Sequence, residues 1–260
     1  MTEKRALVIG NWKMNLDHVE AIHLIQQLGV LMRAHPAEHT DVVIAPPFVD
    51  IRSTCSVIEA DRLNIAVAAQ HVNPAESGPF TGEISAGMLK RLGVQGVIVG
   101  HSERREMFGM TDEIVATTVR AALQAGLKVI LCVGESLDAR ESGNASDFVT
   151  GQLTIALEGV VERHFEQIAI AYEPIWAIGS GISATSAAVA EMTTAIRDAL
   201  PTEWKSRASI LYGGSVKPEN AEELILLGRC DGFLVGGASL NAEQFVQIVS
   251  NVDGCYGKNR

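Results

Sequence analysis

The sequence predicts an α/β fold in which eight parallel strands close into a barrel, as one domain over residues 1–260. Three observations predict it. Short apolar runs recur at roughly thirty-residue intervals. Each is followed by a stretch with helical apolar spacing. The runs are near-continuously apolar, as strands covered on both faces must be. They are Ala6–Gly10, Val42–Ala45, Ile65–Ala69, Val97–Gly100, Val129–Val133, Ala169–Tyr172, Ile210–Tyr212 and Phe233–Val235. An open doubly wound sheet shares the same unit and stays as the alternative. Closure is favoured because no dinucleotide glycine fingerprint follows the first run and no antiparallel hairpin signal occurs.

The helical stretches come in order. His18–Met32 sets Val19, Ile22, Leu24, Ile25, Leu28 and Met32 against Glu20, Gln26 and Gln27. Val49–Ile58 is a weaker pattern. Ile84–Leu92, Ile114–Ala125, Phe148–Leu157, Ala187–Leu200, Ala221–Leu227 and Ala242–Val249 complete the alternation. The tail Asp253–Arg260 has no pattern to assign, and Cys255 within it is expected to be exposed and oxidisable.

Composition narrows the function class. The 260 residues are 47% apolar and carry a net charge of −10. Interspersed charges with an acidic excess argue against a nucleic-acid or anionic-membrane partner. Cys55, Cys132, Cys230 and Cys255 are too scattered for a metal knuckle or redox pair, so reduced thiols in the cytoplasm are expected. No signal-peptide pattern and no run of membrane-spanning length is present.

In a parallel barrel, chemistry belongs to the loops that follow the strands. The most informative is Ala171–Gly181, which offers Glu173 and then Pro174. Proline holds the preceding residue out of the helical region. Next come apolar Ile175, Trp176, Ala177 and Ile178, then Gly179, Ser180 and Gly181. An apolar tip left in water is costly, so this segment is expected to close as a lid. A solvated strand-end glutamate would be the ordinary fate of Glu173 taken alone.

The other strand ends add partners. The first gives Asn11, Trp12 and Lys13, with Lys13 leaning over the mouth or lying along the surface. The fourth gives His101, Ser102 and Glu103, with Ser102 as helix N-cap and Glu103 in the first turn. A helix start disfavours a charged imidazole, leaving neutral His101 as a hydrogen-bond donor. The seventh and eighth give Tyr212-Gly213-Gly214-Ser215 and Val235-Gly236-Gly237-Ala238-Ser239. Paired glycines expose N–H groups to an anion at the usual phosphate site of such barrels. One carboxylate base, one imidazole, one cation and a phosphate cradle suit proton abstraction beside the carbonyl of a small phosphorylated substrate.

These segments, in this order and spacing, resemble the triosephosphate isomerase family from the first strand to the last helix. The resemblance implies interconversion of D-glyceraldehyde 3-phosphate and dihydroxyacetone phosphate, without cofactor or metal. It implies Glu173 as base and His101 as the group that polarises the carbonyl. It implies Lys13 and Asn11 as polar contacts, and Gly179, Ser215, Gly236 and Gly237 as phosphate ligands. Ser102, Glu103 and Cys132 become supporting residues, and Glu135 joins Cys132 in a structural role. The family is itself the reference case for this carboxylate, imidazole and closing loop. Departures lie around the lid: Ser180 stands for the usual Thr, Ile175 for Val and Ser186 for Pro.

The loop Gln70–Glu83 is far longer than most strand-to-helix connections and carries Phe80, Thr81 and Gly82. It either folds back or inserts into a neighbour. The resemblance implies insertion, hence a homodimer with Thr81 reaching toward the partner's Asn11 and Glu103. Two other functions stay open at this stage. One is a non-catalytic phosphosugar-binding barrel. The other is a different phosphate-binding barrel enzyme, for which the short apolar lid and His101-Ser102-Glu103 are unexpected.

Overall fold

The computed structural model describes residues 4–177 and 184–258. Eight strands close into one all-parallel barrel in sequence order. They are β1 (Ala6–Asn11), β2 (Thr40–Ala45), β3 (Ala66–Ala69), β4 (Gly96–Val99), β5 (Lys128–Val133), β6 (Ile168–Tyr172), β7 (Ser209–Tyr212) and β8 (Gly232–Val235). The seam is closed by β1 on β8, with Val8 opposite Phe233 and Gly10 opposite Val235. The doubly wound alternative is thereby excluded.

Among the described residues the helices are α1 (His18–Ala34), α2 (Ile51–Ala60), α3 (Ala86–Arg91), α4 (Ser102–Phe108), α5 (Asp112–Gln124), α6 (Leu137–Glu141), α7 (Ala145–Ala156), α8 (Ser186–Ala199), α9 (Thr202–Lys205), α10 (Pro218–Leu226) and α11 (Ala242–Lys258). Local chemistry explains their starts. Asp17 forms a capping box with Glu20 at α1, accepting from the Glu20 amide at 3.0 Å. Thr185 caps α8, so Ser186, where the resembled family has Pro, leaves the helix start intact. The weak pattern at Val49–Ile58 is a one-turn 3₁₀ segment, Phe48–Asp50, running into α2.

Two apolar layers result. Inside the barrel Ile9, Ile98, Ile130, Leu211 and Leu234 interdigitate with Ala45, Ala68, Ala169 and Ala171. Outside it, residues such as Val8, Val97 and Ile170 pack beneath the helices. Both faces of each strand are therefore covered, which is why the strands lack alternation.

The tail departs from expectation. Residues 253–258 continue α11, and Cys255 is buried rather than exposed. Asp253 accepts from the amides of Glu38 and His39 at 3.2 and 2.7 Å. Tyr256 reaches Asp231, which also takes Lys4 at 2.8 Å and Arg197 at 2.7 Å. The helix thus has a polar anchor on β2's entry and another on the floor of the barrel. The apolar spacing stops signalling it because these last contacts are polar.

Burial pushes the Cys230 thiol up to about 12, raises Cys132 well above the usual thiol range and raises Cys55 as well. The thiolate is the reactive form. Near neutral pH, Ellman's reagent should therefore label Cys55 at most, and slowly, in the native protein. All four thiols should react after denaturation. Rapid native labelling at Cys255 would contradict the buried tail.

Candidate active site

Because every strand runs the same way, the loops after β1, β4, β6, β7 and β8 meet at one mouth. A cavity of about 380 Å³ opens there, lined by Asn11, Lys13, His101, Glu173, Gly213–Ser215 and Gly236–Gly237. Lys217 and Gln244 complete its polar rim. A cavity of about 460 Å³ lies at the opposite end, among strand starts including Gly96, Lys128 and Ser209. It contains neither Glu173 nor His101 nor either glycine pair, so the smaller one is the candidate site.

Glu173 is not the solvated glutamate of the ordinary reading; it is 2% exposed. Its backbone extends the sheet, its amide donating to Val133 at 2.8 Å. The Ser102 amide donates to Oε2 at 2.9 Å. Oε1 lies 3.0 Å from His101 Nε2, but among the described residues no donor meets it along a hydrogen-bond line. A buried carboxylate with one oxygen held and the other under-satisfied is costly in a merely structural group.

Two glycines make this placement possible. A Cβ on Gly134 would fall 1.8 Å from the Glu173 carbonyl oxygen, where no side chain fits. A Cβ on Gly213 would sit 3.0 Å from Glu173 Cγ. The Gly213–Gly214 pair therefore begins by making room for the carboxylate.

His101 caps α4: its Nδ1 accepts from the Glu103 amide at 3.3 Å. The sequence expectation that Ser102 is the cap is corrected by one position. Ser102 is the first helical residue, and its free amide is spent on Glu173 instead. An Nδ1 that accepts carries no proton, so the ring presents Nε2–H to the cavity.

Lys13 sits at φ 53°, in the left-handed region. That conformation costs about 1–3 kcal/mol in a non-glycine residue. The surroundings hold it. Asn11 Oδ1 accepts from the Lys13 amide at 3.0 Å, and Gln70 donates to the Lys13 carbonyl at 2.7 Å. Gln70 also donates to Ala45 at 2.9 Å, tying the loops of three strands. Lys13 Nζ pairs with Glu103 at 2.6 Å. Both side chains are about a third exposed, so that pair fixes direction more than stability. The Lys13 stem passes Gly236, where an added Cβ would lie 3.5 Å from Cε. Ser239 fastens the same loop, donating to Gly236 at 2.6 Å beside the Asn11 carbonyl.

The start of the Ala171–Gly181 segment is anchored on Glu135, which is fully buried. Its Oε1 accepts from Trp176 at 2.8 Å, Tyr172 at 3.0 Å and Arg140 at 3.2 Å. Arg140 also lies over the Trp176 ring. Burial and the adjacent Glu135 charge raise the Tyr172 phenol far above its usual range, so it stays a donor. Pro174 and Ala177 are buried and Ile175 half-buried, in a 3₁₀ turn over Ile175–Ala177. Ile178, Gly179, Ser180 and Gly181 lie outside the described residues.

Cys132 is buried in the barrel interior beneath Glu173. Ser215 is half-buried at the cavity, its carbonyl accepting from Asn220 at 3.1 Å. Phe80, Thr81 and Gly82 stand away from the site on an exposed loop tip. Among the described residues no cluster of three or more His, Cys, Asp or Glu side chains could hold a metal ion. None of the described helices is long and apolar enough to cross a membrane. Gln70, Arg140 and Asn220 were not singled out by the sequence: Gln70 acts on backbone distant along the chain, and Arg140 and Asn220 act on a buried carboxylate and a turn carbonyl that no motif marks.

Comparison with known proteins now bears on this mouth. The sequence model described as triosephosphate isomerase matches residues 6–252. The chain belongs to the triosephosphate isomerase family. Curated triosephosphate isomerases include one from Saccharopolyspora erythraea, 45% identical over 94% of this chain and 95% of that protein. Another, from Corynebacterium efficiens, is 45% identical over 95% and 96%. A third, from Cutibacterium acnes, is 42% identical over 94% and 96%.

The Glu135 cluster gives a stability prediction. Glu135→Ala strands three donors around a buried hole, and should cost about 2–4 kcal/mol in urea denaturation. A loss below about 0.5 kcal/mol would show that the cluster does not hold the segment.

Proposed function

We propose that this chain interconverts D-glyceraldehyde 3-phosphate and dihydroxyacetone phosphate, with Glu173, His101, Lys13 and Asn11 as its catalytic residues. It is an aldose–ketose isomerase of glycolysis and gluconeogenesis. The observation that carries the assignment of roles is the buried Glu173 carboxylate facing His101 Nε2 beside two glycine pairs.

The steps follow from what each group can do. Glu173 takes a proton from the carbon next to the carbonyl. The C–H electron pair becomes the new carbon–carbon double bond, and the carbonyl oxygen becomes an enediolate oxygen. His101 donates its Nε2 proton toward that oxygen and recovers one from the neighbouring hydroxyl. Glu173 then returns its proton to the other carbon. Nothing is oxidised or reduced overall. Lys13 supplies positive charge to the developing oxyanion and the phosphate, and Asn11 a hydrogen bond. The amides of Gly179, Ser215, Gly236 and Gly237 take the phosphate. Ser102, Glu103 and Cys132 position Glu173, Lys13 and the barrel wall. Pro174, Ile175, Trp176, Ala177, Ile178, Gly179, Ser180 and Gly181 form the lid, which closes to exclude water from the enediolate.

The active form is a homodimer in the cytoplasm, each subunit a single barrel domain. The loop after β3 is pinched at its base, where Asn73 pairs with Ser85 and donates to Glu83 at 2.9 Å. Its tip leaves Phe80 47% exposed. Met14, Val49 and Phe108, from the neighbouring β1, β2 and β4 units, are more exposed still. These four exposed apolar side chains follow four consecutive strands, and association would cover them.

A coupled assay with glyceraldehyde 3-phosphate tests the activity, and turnover is expected. In deuterium oxide, label should enter the carbon beside the carbonyl; its absence would indicate a direct hydride shift. Glu173→Asp withdraws the carboxylate by about 1 Å and should cost on the order of 10²-fold in kcat. Turnover near the parent value would remove Glu173 from the role of base.

Sedimentation tests the assembly. A dimer is expected, and Phe80→Asp should yield monomers of reduced activity. A fully active monomer at nanomolar concentration would refute the paired form.

A further inference from the structure

The candidate cavity has four ionisable groups on its wall: Lys13, His101, Glu173 and Lys217. Lys13 faces the cavity with its ammonium but pairs with Glu103 at 2.6 Å, so the two together add no net charge. Glu173 contributes one negative charge. Lys217 is exposed, and its ammonium forms no ion pair or side-chain hydrogen bond with any described residue. It is therefore the one lysine without an ion pair among the described residues lining the cavity.

Its position is set by the backbone. Lys217 is the extended N-cap residue of α10, with φ −134° and ψ 161°. Its amide donates to Asn220 Oδ1 at 2.8 Å, and Asn220 in turn donates to the Ser215 carbonyl at 3.1 Å. Pro218 fixes the next φ at the first helical position. The turn that carries Ser215 thus also fixes the backbone of Lys217 at the edge of the mouth, while leaving the side chain free.

The charge balance gives this lysine a task. The chain carries −10, and a triose phosphate is anionic. With Lys13 and Glu103 summing to zero net charge, Glu173 leaves the wall net negative overall unless Lys217 is counted, so Lys217 adds to the local pull of Lys13. We propose that Lys217 is the electrostatic gate for the phosphate: a positioning and specificity residue that draws the anion toward the Ser215 and Gly236–Gly237 turns. The proposal rests on the phosphosugar reading above. It adds a residue that acts on capture rather than on the proton transfer. For a unit charge about 10 Å from a dianion in water, attraction and screening together give about threefold near 0.01 M salt. The same arithmetic gives less than twofold near 0.1 M and no difference near 1 M.

The test is kcat/KM for glyceraldehyde 3-phosphate as a function of ionic strength. Lys217→Gln should lower it about threefold near 0.01 M salt and Lys217→Glu about eightfold, both converging on the parent near 1 M. In each variant kcat should stay within twofold of the parent, and Lys217→Arg should restore the salt dependence. Competitive inhibition by inorganic phosphate should weaken in parallel. Matching thermal melts would show that the fold is intact. A salt-independent ratio, or a loss confined to kcat, would overturn the proposal. If the parent chain fails to turn over, the isomerase reading fails. The gate is then judged on the salt-dependent affinity for inorganic phosphate, and equal affinity in parent and Lys217→Gln would overturn it.

Discussion

The buried contact between Glu173 and His101 is the interaction on which the mouth of this barrel depends. A carboxylate that is 2% exposed loses its hydration and needs donors in exchange. Here one oxygen has the Ser102 amide, while the other lies beside the imidazole without an aligned donor among the described residues. The residue is stable enough to be held and under-satisfied enough to react. Neither half of that balance survives if the His101 ring turns over. The Glu103 amide on Nδ1 prevents this by fixing which nitrogen carries the proton.

That amide exists because α4 begins at the right residue. His101 caps the helix with its ring, so the next two amides point outward to Glu173 and to His101 itself. Closure of the sheet does the rest. In an all-parallel barrel the ends of β4 and β6 lie on the same rim, with β5 between them. Gly134, on the β5 loop, lets the Glu173 backbone approach closely enough for the side chain to reach across. Lys13 arrives from the far side on a strained turn, held by Asn11 and Gln70. Several local costs are concentrated at one rim, and the two apolar layers beneath supply the rigidity to bear them.

Much of this was legible in the sequence. The strands could be read within a residue or two, because burial on both faces leaves uninterrupted apolar runs. Glu173, His101 and the glycine pairs could be read because they follow those runs directly. What escaped was set by contacts rather than by pattern. Ser102 looks like a cap by residue type, yet an imidazole takes the role when its ring can fold back on the Glu103 amide. The tail past Val249 loses apolar periodicity because Asp253 and Tyr256 secure it through polar bonds to β2's entry and Asp231. Cys255 is buried for the same reason. Gln70 carries no motif, since its value lies in joining Lys13 and Ala45 across strands.

The chemistry of the mouth turns on the proton arrangement of one ring, and nitrogen NMR of His101 reads it directly. With imidazole nitrogens labelled and His101→Gln used to assign the signal, Nε2 should appear protonated. Nδ1 should appear as a bare, hydrogen-bonded acceptor. Protonation on Nδ1, or two equivalent nitrogens of an imidazolium, would contradict the account. Either would leave Glu103 without its acceptor and the cavity without the donor that faces Glu173.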